Sequence, residues 1–332
     1  MRYRRVLAER PGAPDVLKVV EEEVPEPRPG EIRIRVEAAG VAFGDVMRRS
    51  GLQPGQRFPF TPGYDVVGTV DALGAGVSGL AVGDRVAALV VTGGYAEYAC
   101  TPAARACPVP QELDPVTSVS VVLNYLTAFQ MLHRAARMKQ GERILVHGAA
   151  GGVGTALLQL GGLAGVERYG TASAGKHEIV RALGGIPIDY RHEDFVARIR
   201  ELTGDGVDAV FDAIGGTHLL RSHRALRRGG RLVAYGLSAA LRGGRSQLFL
   251  TLGILLALKA VPDGRRATLS GVSPGARTYR EDLSALLTLA AGKKIAPIVA
   301  ERMPLDAAAR AHELLERGAV EGKLVLVPER RS

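Results

Sequence analysis

The stretch Arg143-Ile-Leu-Val-His-Gly-Ala-Ala-Gly-Gly-Val-Gly154 constrains what this chain can fold into more than any other segment. A short apolar strand breaks there into a glycine-rich turn that opens a helix. Glycines let a ligand approach the backbone closely, and a helix start offers unpaired N–H groups and the positive end of its dipole, a combination suited to a dinucleotide diphosphate. Ala149, Gly151 and Gly154 stand at the three glycine positions of G-x-G-x-x-G, so the first glycine is replaced and the pattern needs its context. Beyond Leu163 the residues predict strands over 166–171, 186–190, 208–212 and 231–236, alternating with helices over 176–183, 193–202 and 219–227. Apolar runs too short for helices, set between helical patterns, fit a parallel sheet covered on both faces. The plainer alternative is a tight strand-to-helix turn in an α/β fold that holds no nucleotide.

The N-terminal third has a different texture. Glu31-Ile-Arg-Ile-Arg-Val-Glu37 alternates with period two, which predicts an antiparallel strand with one face in solvent. Turns at 28–30, 74–76 and 82–84 separate apolar runs over 66–73 and 85–91, as in a small β-barrel-like domain. After Gly275 the pattern gives helices over 280–291 and 305–317 and a strand over 323–327. The expected organisation is a β domain over 1–121, an α/β domain over 122–274, and a segment 275–332 that returns to complete the first.

A length of 332 residues, 46% hydrophobic and 23% charged, describes a globular chain with ample core and no indicated disorder. The net charge of +9 is spread over scattered arginines with no stripe of basic and aromatic residues, which argues against nucleic acid as a partner. Leu248–Lys259 reads as the only long apolar stretch; it is too short to span a bilayer and is expected as a buried helix. With no signal-peptide pattern after Met1, a cytoplasmic protein with no membrane partner is expected. Cys100 and Cys107 lack metal-type spacing with histidines and are expected reduced.

Several further motifs occur in order: 36–41 (Val-Glu-Ala-Ala-Gly-Val), 60–68 (Phe-Thr-Pro-Gly-Tyr-Asp-Val-Val-Gly), 82–86 (Val-Gly-Asp-Arg-Val), 94–98 (Gly-Tyr-Ala-Glu-Tyr), 123–128 (Leu-Asn-Tyr-Leu-Thr-Ala), 147–154, 170–173 (Gly-Thr-Ala-Ser) and 322–325 (Gly-Lys-Leu-Val). Together they resemble the medium-chain dehydrogenase/reductase superfamily, and within it the zinc-independent quinone oxidoreductase branch that includes the VAT-1-like proteins. The resemblance covers nearly the whole chain. It implies an α/β fold: a Rossmann doubly wound parallel sheet plus a GroES-like β-barrel domain, with the active site in the cleft between them.

Zinc-dependent relatives carry a cysteine and a Gly-His-Glu where this chain has Ala42-Phe43-Gly44-Asp45 and Gly63-Tyr64-Asp65. Ala42 and Tyr64 do not supply the thiolate and imidazole, so no metal is expected. Quinone reductases of the branch typically have asparagine at the position of Ala42, and many have tyrosine at that of Met47, which implies a more apolar or roomier pocket here. For the cofactor, an NAD-selective site ends its second strand in a carboxylate. Here the strand ends Tyr169-Gly-Thr-Ala-Ser-Ala-Gly-Lys176, where Ser173 and Lys176 suit a 2′-phosphate, so NADPH is expected. Gly151, Gly152 and Val153 would meet the diphosphate. By resemblance Thr127, Tyr190, Tyr235, Gly236 and Lys323 join the cofactor contacts.

The expected reaction is hydride transfer from NADPH to a quinone or an α,β-unsaturated carbonyl compound. Tyr64 and Asn124 are the candidate donors to the developing oxyanion. Asp45 completes the catalytic set, though holding the loop is its more natural task. An enoyl-thioester reductase and a non-catalytic NADPH-binding interaction protein are the alternatives. The segment 267–272 reads as an apolar edge strand whose burial would make a homodimer.

Overall fold

In the computed structural model, which describes residues 1–329, the chain folds as two compact units. One comprises Met1–Leu126 with Ser273–Ser332, the other Thr127–Val272. The first crossing falls five residues after the expected boundary, inside a helix, so Asn124 belongs to the first unit and Thr127 to the second.

Alternation decides the first unit. A hairpin of β1 (Arg2–Ala8) and β2 (Leu17–Glu23) precedes β3 (Glu31–Val41), where Ile32, Ile34 and Val36 are buried on one face. Each such branched side chain contributes about 1.5–3 kcal/mol relative to exposure. β4 (Asp65–Leu73), β5 (Arg85–Leu89), β6 (Tyr98–Pro102) and β7 (Ala106–Pro108) follow, with antiparallel pairing of β3 to both β4 and β6, β4 to β5, and β5 to β7. The run expected through Val91 stops as a strand at Leu89; Val91 has φ 73°, which a strand does not accommodate.

In the second unit β8 (Arg143–His147), β9 (Glu167–Ala172), β10 (Ile186–Asp189), β11 (Val207–Asp212), β12 (Leu226–Ala234) and β13 (Arg266–Leu269) form one parallel sheet. Its order is β10-β9-β8-β11-β12-β13, the 3-2-1-4-5-6 order of a Rossmann sheet. Helices Gly152–Leu163, His177–Ala182, Phe195–Thr203 and His218–Ala225 connect the strands. The chain then returns to the first unit through helix Tyr279–Ala291, β14 (Val299–Pro304), helix Ala308–Glu316 and β15 (Lys323–Val327). β15 pairs antiparallel with β3, so the C-terminal segment completes the first unit's sheet.

Two expectations about apolar segments are corrected. Leu248–Lys259 lies in helix Arg245–Lys259, but only Leu248, Thr251, Leu255 and Leu258 are buried. Phe249 is 74% exposed and Leu256 67%, with Leu250 and Leu252 also exposed. A helix apolar all round does not reveal which face finds a partner. Nor is it the only long apolar stretch. The helical run Pro115–Ala135 has the length and composition to cross a membrane, and 67% of its most apolar window is buried inside the protein. It contains two π-helical turns, Val121–Tyr125 and Gln130–Ala135.

Candidate active site

In the first unit, the turn around Gly63 and the helix Phe43–Arg49 are tied together by Asp45. Its Oδ1 accepts from Gly63 N at 2.8 Å; its Oδ2 accepts from Ala42 N at 3.0 Å and Tyr95 Oη at 3.1 Å. Burial pushes the Asp45 carboxyl up to about 7, against the two backbone donors that favour its charge. Fully buried and engaged at both oxygens, Asp45 is a brace between two loops. The turn requires glycine at 63: φ is +106° and a Cβ would stand 2.6 Å from Tyr95 N.

The next residue, Tyr64, is half-buried and seated on the helix that Asp45 anchors. A Cβ at Gly44 would lie 2.7 Å from Tyr64 Cε2, so the ring occupies the space that glycine leaves. One helical turn on, Arg48 Nε donates to Tyr64 Oη at 3.2 Å, and its guanidinium carbon is 5.0 Å from the ring centroid. Arg48 escaped the sequence analysis, and no sequence signal marks it before the ring of Tyr64 is placed.

Asp65 does not stand free beside Tyr64. Lys323 Nζ reaches its carboxylate oxygens at 3.0 and 3.3 Å, with both side chains buried. Lys323, expected among the cofactor contacts, is therefore a strut of the first unit. A Cβ at Gly40 would come within 2.5 Å of both partners, so that glycine makes room for the pair. With Ala42 and Tyr64 lacking the usual donors and Asp65 engaged by a lysine, these positions do not fit a zinc ion. Asn124, 7% exposed, lies in the π-helical turn Val121–Tyr125.

In the second unit the glycine turn takes the expected form. Gly148 has φ +67°, Gly151 caps helix Gly152–Leu163 without a side-chain contact, and a Cβ at Gly154 would fall 2.3 Å from Gly148 O. The N–H groups of the first helical turn, at Gly152 and Val153, have no intrahelical partners by position. Ala149 replaces the motif's first glycine at a fully buried site. Its methyl lies 2.5 Å from where a Cβ at Gly170 would be, so the glycine on β9 offsets the alanine in the turn.

β9 ends at Ala172, followed by Ser173 at the start of a single 3-10 turn that ends at Lys176. The sequence around Tyr169–Lys176 led to the expectation that no acid lies near this edge, but the register pairs Ala172 with Asp189 and brings a carboxylate there. Asp189 is already engaged, accepting from Arg191 N at 3.0 Å and contacting His192 Nδ1 at 2.7 Å. Tyr190, one residue further, is 54% exposed. At the end of β12, Tyr235 N and Gly236 N donate to Asp212 O at 2.9 and 3.4 Å. Thr127 lies in the helical turn Leu126–Phe129.

A polar network that the sequence analysis missed runs beneath the glycine turn. His147 Nδ1 is 3.0 Å from Thr171 Oγ1 and its Nε2 is 3.1 Å from Ser222 Oγ. Ser222 donates to Asp212 Oδ2 at 2.6 Å, and His218 Nδ1 is 2.8 Å from the same oxygen. Asp212 Oδ1 accepts from Ile214 N and Gly215 N. Burial holds His147 down at about 3, so it is neutral. For Asp212, burial pushes the carboxyl up, but the donors, led by His218, prevail and hold it well below the ordinary range. His147, Asp212 and His218 have ligand atoms within 4.8 Å of one another, the one such trio among the described residues, and its side chains already engage each other, Thr171 and Ser222.

Among known proteins, residues 28–111 match the family model for the alcohol dehydrogenase GroES-like domain, and residues 183–326 that for zinc-binding dehydrogenase. The synaptic vesicle membrane protein VAT-1 homolog of Rattus norvegicus is 38% identical over 68% of this chain, a match spanning 56% of that protein. The quinone oxidoreductase of Rattus norvegicus is 30% identical over 95% of both chains. The structure of Escherichia coli quinone oxidoreductase complexed with NADPH superposes with a TM-score of 0.87 at 32% identity, covering 98% of this chain and 100% of that one.

Proposed function

The chain belongs to the medium-chain dehydrogenase/reductase superfamily, in its zinc-independent quinone oxidoreductase and VAT-1-like branch, and from that premise we propose that it is an NADPH-dependent reductase of quinones or α,β-unsaturated carbonyl compounds. The observation that carries this reading is the replacement of metal donors by Ala42 and by a Tyr64 seated on Gly44. A phenol at that position suits a reaction in which a protein hydrogen bond, rather than a cation, meets the developing oxyanion.

NADPH would supply the hydride. The second unit's residues suit its binding: Gly151, without a side chain at the helix start, gives the diphosphate access to the open N–H groups of Gly152 and Val153, Ser173 and Lys176 suit the 2′-phosphate, and Tyr190 the adenosine end. Asp189 stays ionised at this edge, held below the ordinary carboxylate range by His192 and the Arg191 amide, so the preference for the 2′-phosphate rests on Ser173 and Lys176. Thr127, Tyr235 and Gly236 are assigned to the nicotinamide end. In the first unit Tyr64 and Asn124 would donate to the substrate's carbonyl oxygen, with Asp45 holding the loop.

The proposal includes a homodimer in the cytoplasm. The exposed ridge Phe249, Leu252 and Leu256 belongs to a helix packed on β13, the sheet's edge, where Leu269 is also exposed; both features favour burial against a second copy. The free Cys100 and Cys107 suit a reducing compartment. A panel of quinones, enones and enoyl thioesters followed by NADPH absorbance tests the activity. Turnover of a quinone or an enone supports the reading. Turnover confined to enoyl thioesters would assign a biosynthetic enoyl reductase, and tight NADPH binding with no turnover would leave an interaction protein.

A further inference from the structure

Tyr64 is fixed by two residues of one helix face, and the chemistry of those residues decides which way its proton points. Gly44 and Arg48 are four apart on helix Phe43–Arg49. The first lets the ring approach to a distance that any side chain would forbid, and the second meets its hydroxyl. Arg48 is itself held, with Nη1 donating to Gln56 Oε1 at 2.9 Å. A guanidinium has donors and no acceptor, so at this contact Tyr64 Oη accepts. The phenol's single proton is then left for another acceptor.

We propose that Arg48 is a positioning residue: by occupying an acceptor site of Tyr64 Oη, it directs the phenol's proton to the carbonyl oxygen of the substrate. This rests on the reductase reading above, in which Tyr64 meets the oxyanion. No proton need leave the phenol for the effect, because a hydrogen bond that strengthens as charge develops on the substrate oxygen is enough. Arginine is preferred over lysine here because its fork reaches Gln56 and Tyr64 together.

The test is a double-mutant cycle with a spectroscopic arm. Arg48→Met, Arg48→Lys, Tyr64→Phe and the double variant Arg48→Met/Tyr64→Phe are compared in NADPH affinity, kcat and KM on the best acceptor of the panel. Each of Arg48→Met and Tyr64→Phe should lower kcat roughly ten- to a hundredfold, with NADPH affinity unchanged. The double variant should fall no further than the worse single, and Arg48→Lys should recover part of the loss. Losses that multiply in the double variant would show that Arg48 acts independently of Tyr64 and would overturn the proposal. Independently of turnover, the tyrosine Fermi doublet in the Raman difference spectrum against Tyr64→Phe reports whether the phenol accepts or donates. It should change on Arg48→Met, and an unchanged doublet would also overturn the proposal. An inert wild type whose doublet still responds to Arg48 would overturn the reductase reading and with it the catalytic role, while keeping the contact.

Discussion

Asp45 in the first unit and Asp212 in the second are both fully buried carboxylates, yet their surroundings push them in opposite directions. Asp45 accepts from two backbone amides and a phenol, all neutral, and burial prevails. Asp212 also accepts from two backbone amides, but His218 and Ser222 join on its second oxygen and hold it ionised. Depth alone does not set the charge of a buried acid; the donors converging on it do. The first unit thus holds a loop brace poised near neutrality, and the second a permanent anion around which the ends of β8 and β11 are fastened.

The largest effect that bears on this contrast is expected from Asp212→Ala, which leaves buried donors without their acceptor and should cost roughly 3 kcal/mol or more. Denaturant unfolding measures it, and a cost below that of Asp45→Asn at pH 5 would break the contrast. Next come the single donors. Ser222→Ala removes a hydrogen bond to a charged acceptor and should cost about 1.5–3 kcal/mol, while Tyr95→Phe, facing a largely neutral acid below pH 7, should cost about 0.5–1.5 kcal/mol. Equal losses would mean that the two carboxyls share one charge state.

The smallest effect is a difference in pH dependence. Asp45 titrates above its ordinary 3.8, so its contribution to stability is complete below that value and is lost as pH rises through about 7. Asp212 is depressed, so its contribution is present above the ordinary carboxylate range and is lost only in acid. Wild type should therefore lose stability relative to Asp45→Asn between pH 5 and pH 8. A constant difference between the two proteins across that interval would place Asp45 in the ionised class with Asp212.

Much of the second unit was legible because its signals are local. The glycine turn, the β/α alternation and the short apolar runs each determine a neighbouring element, and the strands over 208–212 and 231–236 emerged within a few residues of β11 and β12. What escaped depends on register across strands. Asp189 reaches the end of β9 only through pairing, and His147, Asp212 and Ser222 meet only once β8 and β11 lie side by side. The exposed face of Arg245–Lys259 was illegible for a different reason: its sequence offers the same hydrophobicity in every direction. In the first unit, Tyr64 was visible as the residue replacing a metal ligand, but Arg48 was not, because an arginine on a short helix is ordinary until the ring it meets is known.

The packing of Ala149 against Gly170 also restricts the order in which this chain can change. Alanine at 170 in the present background would set two methyl carbons about 2.5 Å apart, so it is closed off while Ala149 stands. Once Ala149 becomes glycine, the remaining neighbour of a Cβ at 170 is Val180 Cγ1 at 3.1 Å, a side chain able to yield by a few tenths of an ångström. The two positions are therefore epistatic. A lineage exchanging alanine and glycine between turn and strand must pass through the doubly glycine intermediate, whichever end it starts from.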